Sequence, residues 1–137
     1  MTCAGRVATA YDLLTEQERQ WTRIVHDPST YVTGVPYAAL EGLRQHHAVV
    51  PVAEPALPGW PQGTGYWLVL RRAEVERVLR DSAIFSSWVG GTQVRDPVNE
   101  ADLAYVRRMM LNMDPPEHSR LRRLLSRSFT PRAVARL

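Results

Sequence analysis

Several features common in other protein classes are rare or missing in this 137-residue sequence. Its single cysteine, Cys3, excludes an internal disulfide. No stretch approaches the roughly 20 apolar residues of a membrane-spanning helix. Met1 to Trp21 mixes charged residues with short apolar pieces, which indicates neither a secretory signal nor a membrane anchor. The sequence therefore predicts a soluble, globular, cytoplasmic protein.

Lysine is also absent, and all 17 basic residues are arginine. The charge is uneven: residues 1–106 carry 9 arginines and 12 acids, a net of −3, and residues 107–137 carry 8 arginines and 2 acids, a net of +6. The basic end is where an acidic partner would dock. Nucleic acid is not expected as that partner, because the segment has neither interleaved aromatic residues nor a recognisable reader module.

The most informative stretch runs from Met113 to Arg132 and reads MDPPEHSRLRRLLSRSFTPR. Asp114 is predicted to cap a helix that begins at Pro115, and Glu117 to complete a capping box at the positive end of the helix dipole. Thr130-Pro131 predicts a break before another helix. Helical spacing predicts one buried apolar stripe, formed by Leu121, Leu124, Leu125 and Phe129.

The polar residues of this helix fall on two other faces. His118 and Arg122 are four residues apart and share one face, while three arginines lie along another. In an isolated helix such a charge run would usually be a solvated basic face. The three arginines are Arg120, Arg123 and Arg127.

The run D-P-P-E-H-S-R-L-R-R-L at 114–124, followed by S-F-T-P-R, resembles the C-helix signature of the soluble bacterial cytochromes P450, the heme-thiolate monooxygenases. In that family the histidine and arginine of the H-x-x-x-R pair bind the heme propionates, which implies this role for His118 and Arg122. Imidazole and guanidinium groups on one rigid face are suitable charge-assisted donors for such an anion. The resemblance also implies that Arg120, Arg123 and Arg127 contact a ferredoxin-type or flavodoxin-type redox partner, with a merely solvated face as the alternative.

The upstream sequence supports the same resemblance. Ala48–Ala53 and Tyr66–Arg71 predict an antiparallel two-stranded ribbon with a long connection rich in turn residues. Pro36–His46 predicts an earlier helix that resembles the family's first named helix. Leu13–Ile24 predicts a weak helix, and the resemblance does not extend to it. Strand, strand, helix and then A-I-F-S-S is the opening order of the P450 fold. The third predicted helix is Arg72–Asp81, with Val75, Val78 and Leu79 facing inward.

The predicted fold is therefore mainly α-helical with a small antiparallel β-ribbon, equivalent to a truncated N-terminal portion of the P450 fold. Residues 1–35 are predicted to be an N-terminal arm with a weak helix, and residues 36–137 a partial P450 domain. His46-His47 is not a predicted metal site, because adjacent residues on a helix face different directions and no further His or Cys clusters nearby.

Phe85–Arg107 is predicted to be mainly a long loop, with a short helix at Asp102–Leu111. In the resembling family this connection arches over the distal heme face and contacts a hydrophobic substrate. The alternative is that its apolar residues only pack the loop against the rest of the protein. F-S-S-W-V-G-G-T also resembles the actinobacterial members that oxidise the side chain of cholesterol and related steroids. The candidate pocket residues are Trp88, Val89, Val94 and Met110.

The resemblance covers only the opening third of a typical family member. It does not extend to the oxygen-activating helix, the E-x-x-R core motif or the cysteine loop, and Cys3 and its neighbours resemble no part of that loop. Without the thiolate, the family's O–O cleavage lacks its axial ligand.

We therefore expect this chain to be an inactive fragment of a P450. The complete protein would bind heme and hydroxylate a hydrophobic substrate, such as a steroid or terpenoid, with O2 and electrons from a redox partner. The alternative is a small stand-alone module that holds an anionic partner on its basic helix at 117–136.

Overall fold

The computed structural model describes residues 3–58, 61–90, 97, 99–126 and 128–136. They form two compact units, one up to Arg77 and the other from Val78. The predicted mainly helical class is confirmed, because these described residues are mainly helical with one two-stranded antiparallel sheet. That the fold is a truncated portion of the P450 fold stays a prediction. The predicted division at residue 35 stays a prediction. The α-helices and strands are α1 Cys3–Asp12, α2 Glu16–His26, α3 Tyr37–His46, β1 Val49–Val52, β2 Tyr66–Val69, α4 Arg72–Arg80, α5 Ser87–Gly90, α6 Glu100–Val106, α7 Glu117–Ser126 and α8 Pro131–Val134.

The first turn of α2 is fixed by a capping box. The Glu18 N–H donates to the Thr15 hydroxyl at 3.3 Å, and the Thr15 N–H donates to the Glu18 carboxylate at 2.8 Å. These bonds satisfy two N–H groups that a helix N-terminus leaves free. The predicted start at Leu13 was therefore wrong, and Leu13 lies 84% exposed in the turn before α2.

The first unit contains the apolar core. Strand β1 pairs with β2 so that Val50 lies opposite Leu68, and Val50 is fully buried. Leu43 from α3 and Val25 from α2 pack into the same cluster. Every buried apolar side chain in the described part of the chain belongs to this unit. The predicted ribbon and the helix ending at His46 are confirmed.

Glu54 holds the long connection between the two strands. This side chain is 7% exposed and accepts the Gly65 N–H at 2.9 Å, while its carbonyl accepts the Gly63 N–H at 3.0 Å. Gly65 has φ +81°, a conformation that residues with a Cβ rarely adopt. The carboxylate therefore organises the chain just before β2.

Helix α4 has the predicted position, but one of its three predicted inward residues is exposed. Val75 and Val78 are half-buried, whereas Leu79 is 79% exposed. An apolar residue at helical spacing is buried only when another element covers its face, and spacing alone does not supply that element.

The second unit differs from the first in having no buried apolar side chain among its described residues. Its buried residue is Asn112, whose amide donates to the Val106 carbonyl at 2.8 Å. The predicted burial of the α7 stripe was wrong: Leu121 is half-buried and the other three residues are exposed, by 54%, 49% and 69%. Those three are Leu124, Leu125 and Phe129.

Two helix starts bear on the predicted site. Helix α7 begins at Glu117, later than the predicted Pro115, and the Pro115-Pro116 peptide bond is cis. Helix α8 begins at Pro131, as the Thr130-Pro131 pair predicted, and the Thr130 hydroxyl accepts the Ala133 N–H at 3.2 Å. None of the described helices is long and apolar enough to cross a membrane.

Candidate functional site

Helix α7 presents the predicted anion-binding pair. The His118 N–H donates to the Asp114 carbonyl at 3.1 Å, and the Ser126 hydroxyl donates to the Arg122 carbonyl at 2.7 Å. Within this regular helix, residues four apart lie on one face. His118 is half-buried and Arg122 is exposed. The structure therefore places both side chains on the same side of α7.

Among the described residues, neither of these side chains has a hydrogen-bond or ion-pair partner. Arg120 differs, because its guanidinium pairs with the Glu117 carboxylate at 3.0 Å. Both partners of that pair are more than half exposed, so it contributes little to stability. His118 and Arg122 together therefore leave N–H donors available to an anion.

The structure assigns Asp114 a different role from the predicted one. Its carboxylate accepts a hydrogen bond from the Ser86 hydroxyl and, at 2.9 Å, from the Ser87 N–H. It thus caps α5, not α7, and the Ser86 hydrogen bond is the main reason that the pKa of Asp114 is lowered. The predicted capping box at α7 was wrong as well, because Glu117 pairs with Arg120 instead. The sequence did not show this, since a carboxylate can cap any N–H that the fold brings near.

Arg107 joins α5 to the end of α6. Its guanidinium donates to the Trp88 carbonyl at 2.7 Å and the Val89 carbonyl at 3.1 Å, and it reaches Glu100 at 3.4 Å. It also lies 5.3 Å from the centroid of the Trp88 ring, within cation–π range. Among its described residues, the segment predicted as mainly loop therefore contains α5, which was not predicted, and α6, which overlaps the predicted helix Asp102–Leu111 but ends at Val106. Arg107 contacts both. The role of Arg107 could not be predicted from the sequence, because backbone carbonyls as partners leave no signal in it.

The substrate-pocket candidates are only partly brought together. Trp88 and Val89 are adjacent in α5, 47% and 68% exposed, and Met110 is half-buried at the start of the 3-10 helix Met110–Asn112. Val94 lies outside the described residues, as does Arg127 of the predicted partner surface. The remaining arginine of that surface, Arg123, is exposed.

A cleft of about 500 Å³ in the second unit is lined by one predicted substrate contact and one predicted redox-partner contact. Trp88, a predicted substrate contact, and Arg120, a predicted partner contact, both line it, together with Leu121 of α7. His118 and Arg122 do not belong to its lining. The structure thus brings together two residues that the sequence assigned to different functions.

Comparison with known proteins shows which sequences this chain is similar to. No family model matches it. It is similar to the steroid C26-monooxygenase of Mycobacterium tuberculosis, with 35% identity over 117 residues that cover 81% of this chain and 26% of that protein. It is also similar to the nocardicin C N-oxygenase of Nocardia uniformis, with 38% identity over 109 residues, 79% of this chain and 26% of the relative. Cytochrome P450 126 of M. tuberculosis is 39% identical over 77 residues, 56% of this chain and 19% of that protein.

These relationships confirm the resemblance to the cytochromes P450 that was seen in the sequence. The chain spans about a quarter of the length of the first two of these curated relatives. The names of these relatives refer to chemically different substrates, a steroid and nocardicin C.

Proposed function

We propose that this chain supplies the propionate-binding face of a P450 heme site through His118 and Arg122. The observation that carries the proposal is the pair's arrangement on α7: both side chains lie on one face and have no partner among the described residues. The donors fit the group, because a propionate is a carboxylate and guanidinium N–H groups bind carboxylates with two parallel hydrogen bonds. The family relationship supplies the reason to expect heme there.

The proposed activity belongs to the complete protein. Heme in this family activates O2 for monooxygenation, and its iron ligand would come from a part of the P450 fold that this chain does not match. We propose that this chain alone is inactive. In the complete protein a hydrophobic substrate, such as a steroid or terpenoid, would contact Trp88, Val89, Val94 and Met110. An acidic redox partner would contact Arg120, Arg123 and Arg127.

A hemin titration of the 137-residue chain, followed by Soret absorbance, tests the propionate assignment. We expect Arg122→Gln to weaken hemin binding by about tenfold, because a charged hydrogen bond is lost. Arg123→Gln is the matched control, since Arg123 is exposed on the same helix and lies outside the proposed pair. Heme dimethyl ester, which has no propionate charge, should bind wild type and Arg122→Gln equally. Equal hemin affinity of the Arg122 and Arg123 variants would contradict the assignment.

The reduced protein with carbon monoxide tests whether the site is complete. We expect no thiolate-type shifted band from this chain, because its one cysteine, Cys3, does not match the family's cysteine loop. Such a band would show that Cys3 or another chain supplies the iron ligand. Steep salt-dependent binding of a polyanion without any hemin binding would instead favour the stand-alone module.

A further inference from the structure

The cleft in the second unit is large enough for a small molecule and has a mainly apolar wall. Its volume of about 500 Å³ lies within the usual range of small-molecule sites. Met113, the Pro115-Pro116 pair and Leu121 form an apolar wall, and Trp88 adds an aromatic ring. A ligand in this cleft would therefore bury a flat apolar body.

The Trp88 ring is held in place from one side. The Arg107 guanidinium lies 5.3 Å from its centroid and also donates to the Trp88 carbonyl at 2.7 Å. The side chain of Arg107 is 21% exposed, whereas Trp88 is 47% exposed. One part of the tryptophan is thus fixed by the protein, and the rest remains available for a ligand to contact.

The charges of the cleft favour an anion. Both carboxylates in its lining are already engaged, Asp114 by Ser86 and Ser87 and Glu117 by Arg120 at 3.0 Å. Arg108 also lines the cleft, is exposed, and has no side-chain partner within the described ranges. Its guanidinium is therefore a free donor beside an apolar wall.

The cleft is separate from the proposed propionate face. Glu117 and Leu121 line it, and each precedes a member of the His118 and Arg122 pair by one residue. One residue corresponds to about 100° around an α-helix. The two faces therefore point in different directions, and a ligand of one is not a ligand of the other.

We propose that this cleft binds a small organic anion with a flat apolar body, such as an aromatic carboxylate. The body lies against Trp88 and Leu121, and the carboxylate accepts hydrogen bonds from Arg108. This site is independent of the heme assignment, because it uses neither His118 nor Arg122.

Isothermal titration of the 137-residue chain with 2-naphthoate tests the proposal, with neutral 2-naphthamide as the matched ligand. We expect 2-naphthoate to bind with a Kd of about 1 mM or below and 2-naphthamide about fivefold more weakly, because it lacks the charge that Arg108 recognises. Arg108→Gln should remove this difference, and Trp88→Leu should weaken both ligands. The fold of each variant is checked by circular dichroism, and Arg108 has no described side-chain contact to lose.

Arg123→Gln is the control protein for the same titration, because Arg123 is an exposed arginine of α7 outside the cleft. It should bind 2-naphthoate as wild type does. Equal affinity of wild type for the two ligands, no detectable binding of either, or an equal loss in the Arg123 and Arg108 variants would overturn the proposal. These results do not depend on hemin binding, so the two proposals fail separately.

Discussion

The carboxylate of Asp114 accepts the N–H of Ser87 at 2.9 Å, from a residue that lies 27 positions earlier in the chain. The carbonyl of the same Asp114 accepts the His118 N–H at 3.1 Å. One residue thereby links the start of α5, which bears Trp88, to the start of α7, which bears His118. The positions of a proposed substrate contact and a proposed propionate ligand therefore depend on one side chain and its backbone.

Replacing Asp114 should loosen α5 selectively. Loss of a helix cap costs about 1 kcal/mol, so Asp114→Ala should raise the amide exchange rate of Ser87 about fivefold. The measurement is hydrogen exchange followed by NMR at neutral pH. Glu117→Gln is the control, because Glu117 forms only an exposed pair with Arg120. Unchanged exchange at Ser87 in Asp114→Ala would show that the carboxylate does not hold α5.

The stability of the first unit should depend on pH through Glu18. The pKa of Glu18 is lowered to about 2, mainly by hydrogen bonds from Thr15 and, to a smaller extent, by His47, whose Nε2 is 2.7 Å from the carboxylate. A lowered folded-state pKa means that the carboxylate stabilises the fold above its unfolded pKa of about 4.3. This contribution is lost as the pH falls from about 4.3 to about 2.

The comparison of wild type with Glu18→Gln checks this expectation. At neutral pH the variant should have a free energy of unfolding lower by about 1 kcal/mol, the usual contribution of a helix cap. The difference should shrink as the pH approaches 2, measured by urea unfolding followed by circular dichroism. His47→Gln, which leaves the Thr15 capping box intact, should have the smaller effect at neutral pH. A difference that is the same at both ends of the pH range would contradict the role of the charge.

Gly42 should resist a substitution that usually stabilises helices. Alanine is normally preferred over glycine within a helix by about 1 kcal/mol. Here a Cβ at Gly42 would lie 2.6 to 2.8 Å from three ring atoms of Trp21, where α2 packs on α3. Overpacking of this kind costs about 1–3 kcal/mol, so Gly42→Ala should lower the free energy of unfolding in urea. In a Trp21→Ala background the same change should become stabilising, and a loss in both backgrounds would exclude the ring as the cause.

The two units should differ in their resistance to local opening. Val50 and Val52 of β1 are 0% and 1% exposed, whereas Leu124 of α7 is 54% exposed. Elements with few buried apolar contacts open at lower free energy. Hydrogen exchange followed by mass spectrometry should therefore give protection factors at least about tenfold higher for peptides of β1 than for those of α7. Equal protection would mean that α7 is stabilised by something other than apolar burial.

Local signals in the sequence account for the parts of the fold that could be predicted. Pro36 and the periodicity after it indicated α3, and the β-branched run around Val50 indicated β1, because these signals act within a few residues. Thr15 and Glu18 carry an equally local signal, because a threonine followed three residues later by a glutamate is the pattern of a capping box. The exposure of Leu124 could not be inferred from its spacing, since burial requires a second element.

Some features of the candidate site could likewise be predicted from local sequence signals, and others could not. The sequence by itself determined the resemblance to the cytochromes P450, through the run at 114–124. It also determined that His118 and Arg122 share one face, because helical periodicity sets which residues are neighbours. Only the tertiary structure decided that Asp114 caps α5, that Arg107 holds Trp88, and that Arg108 lines the same cleft as Trp88. These contacts join residues far apart in the chain, often through backbone groups that every residue carries, so no local pattern specifies them.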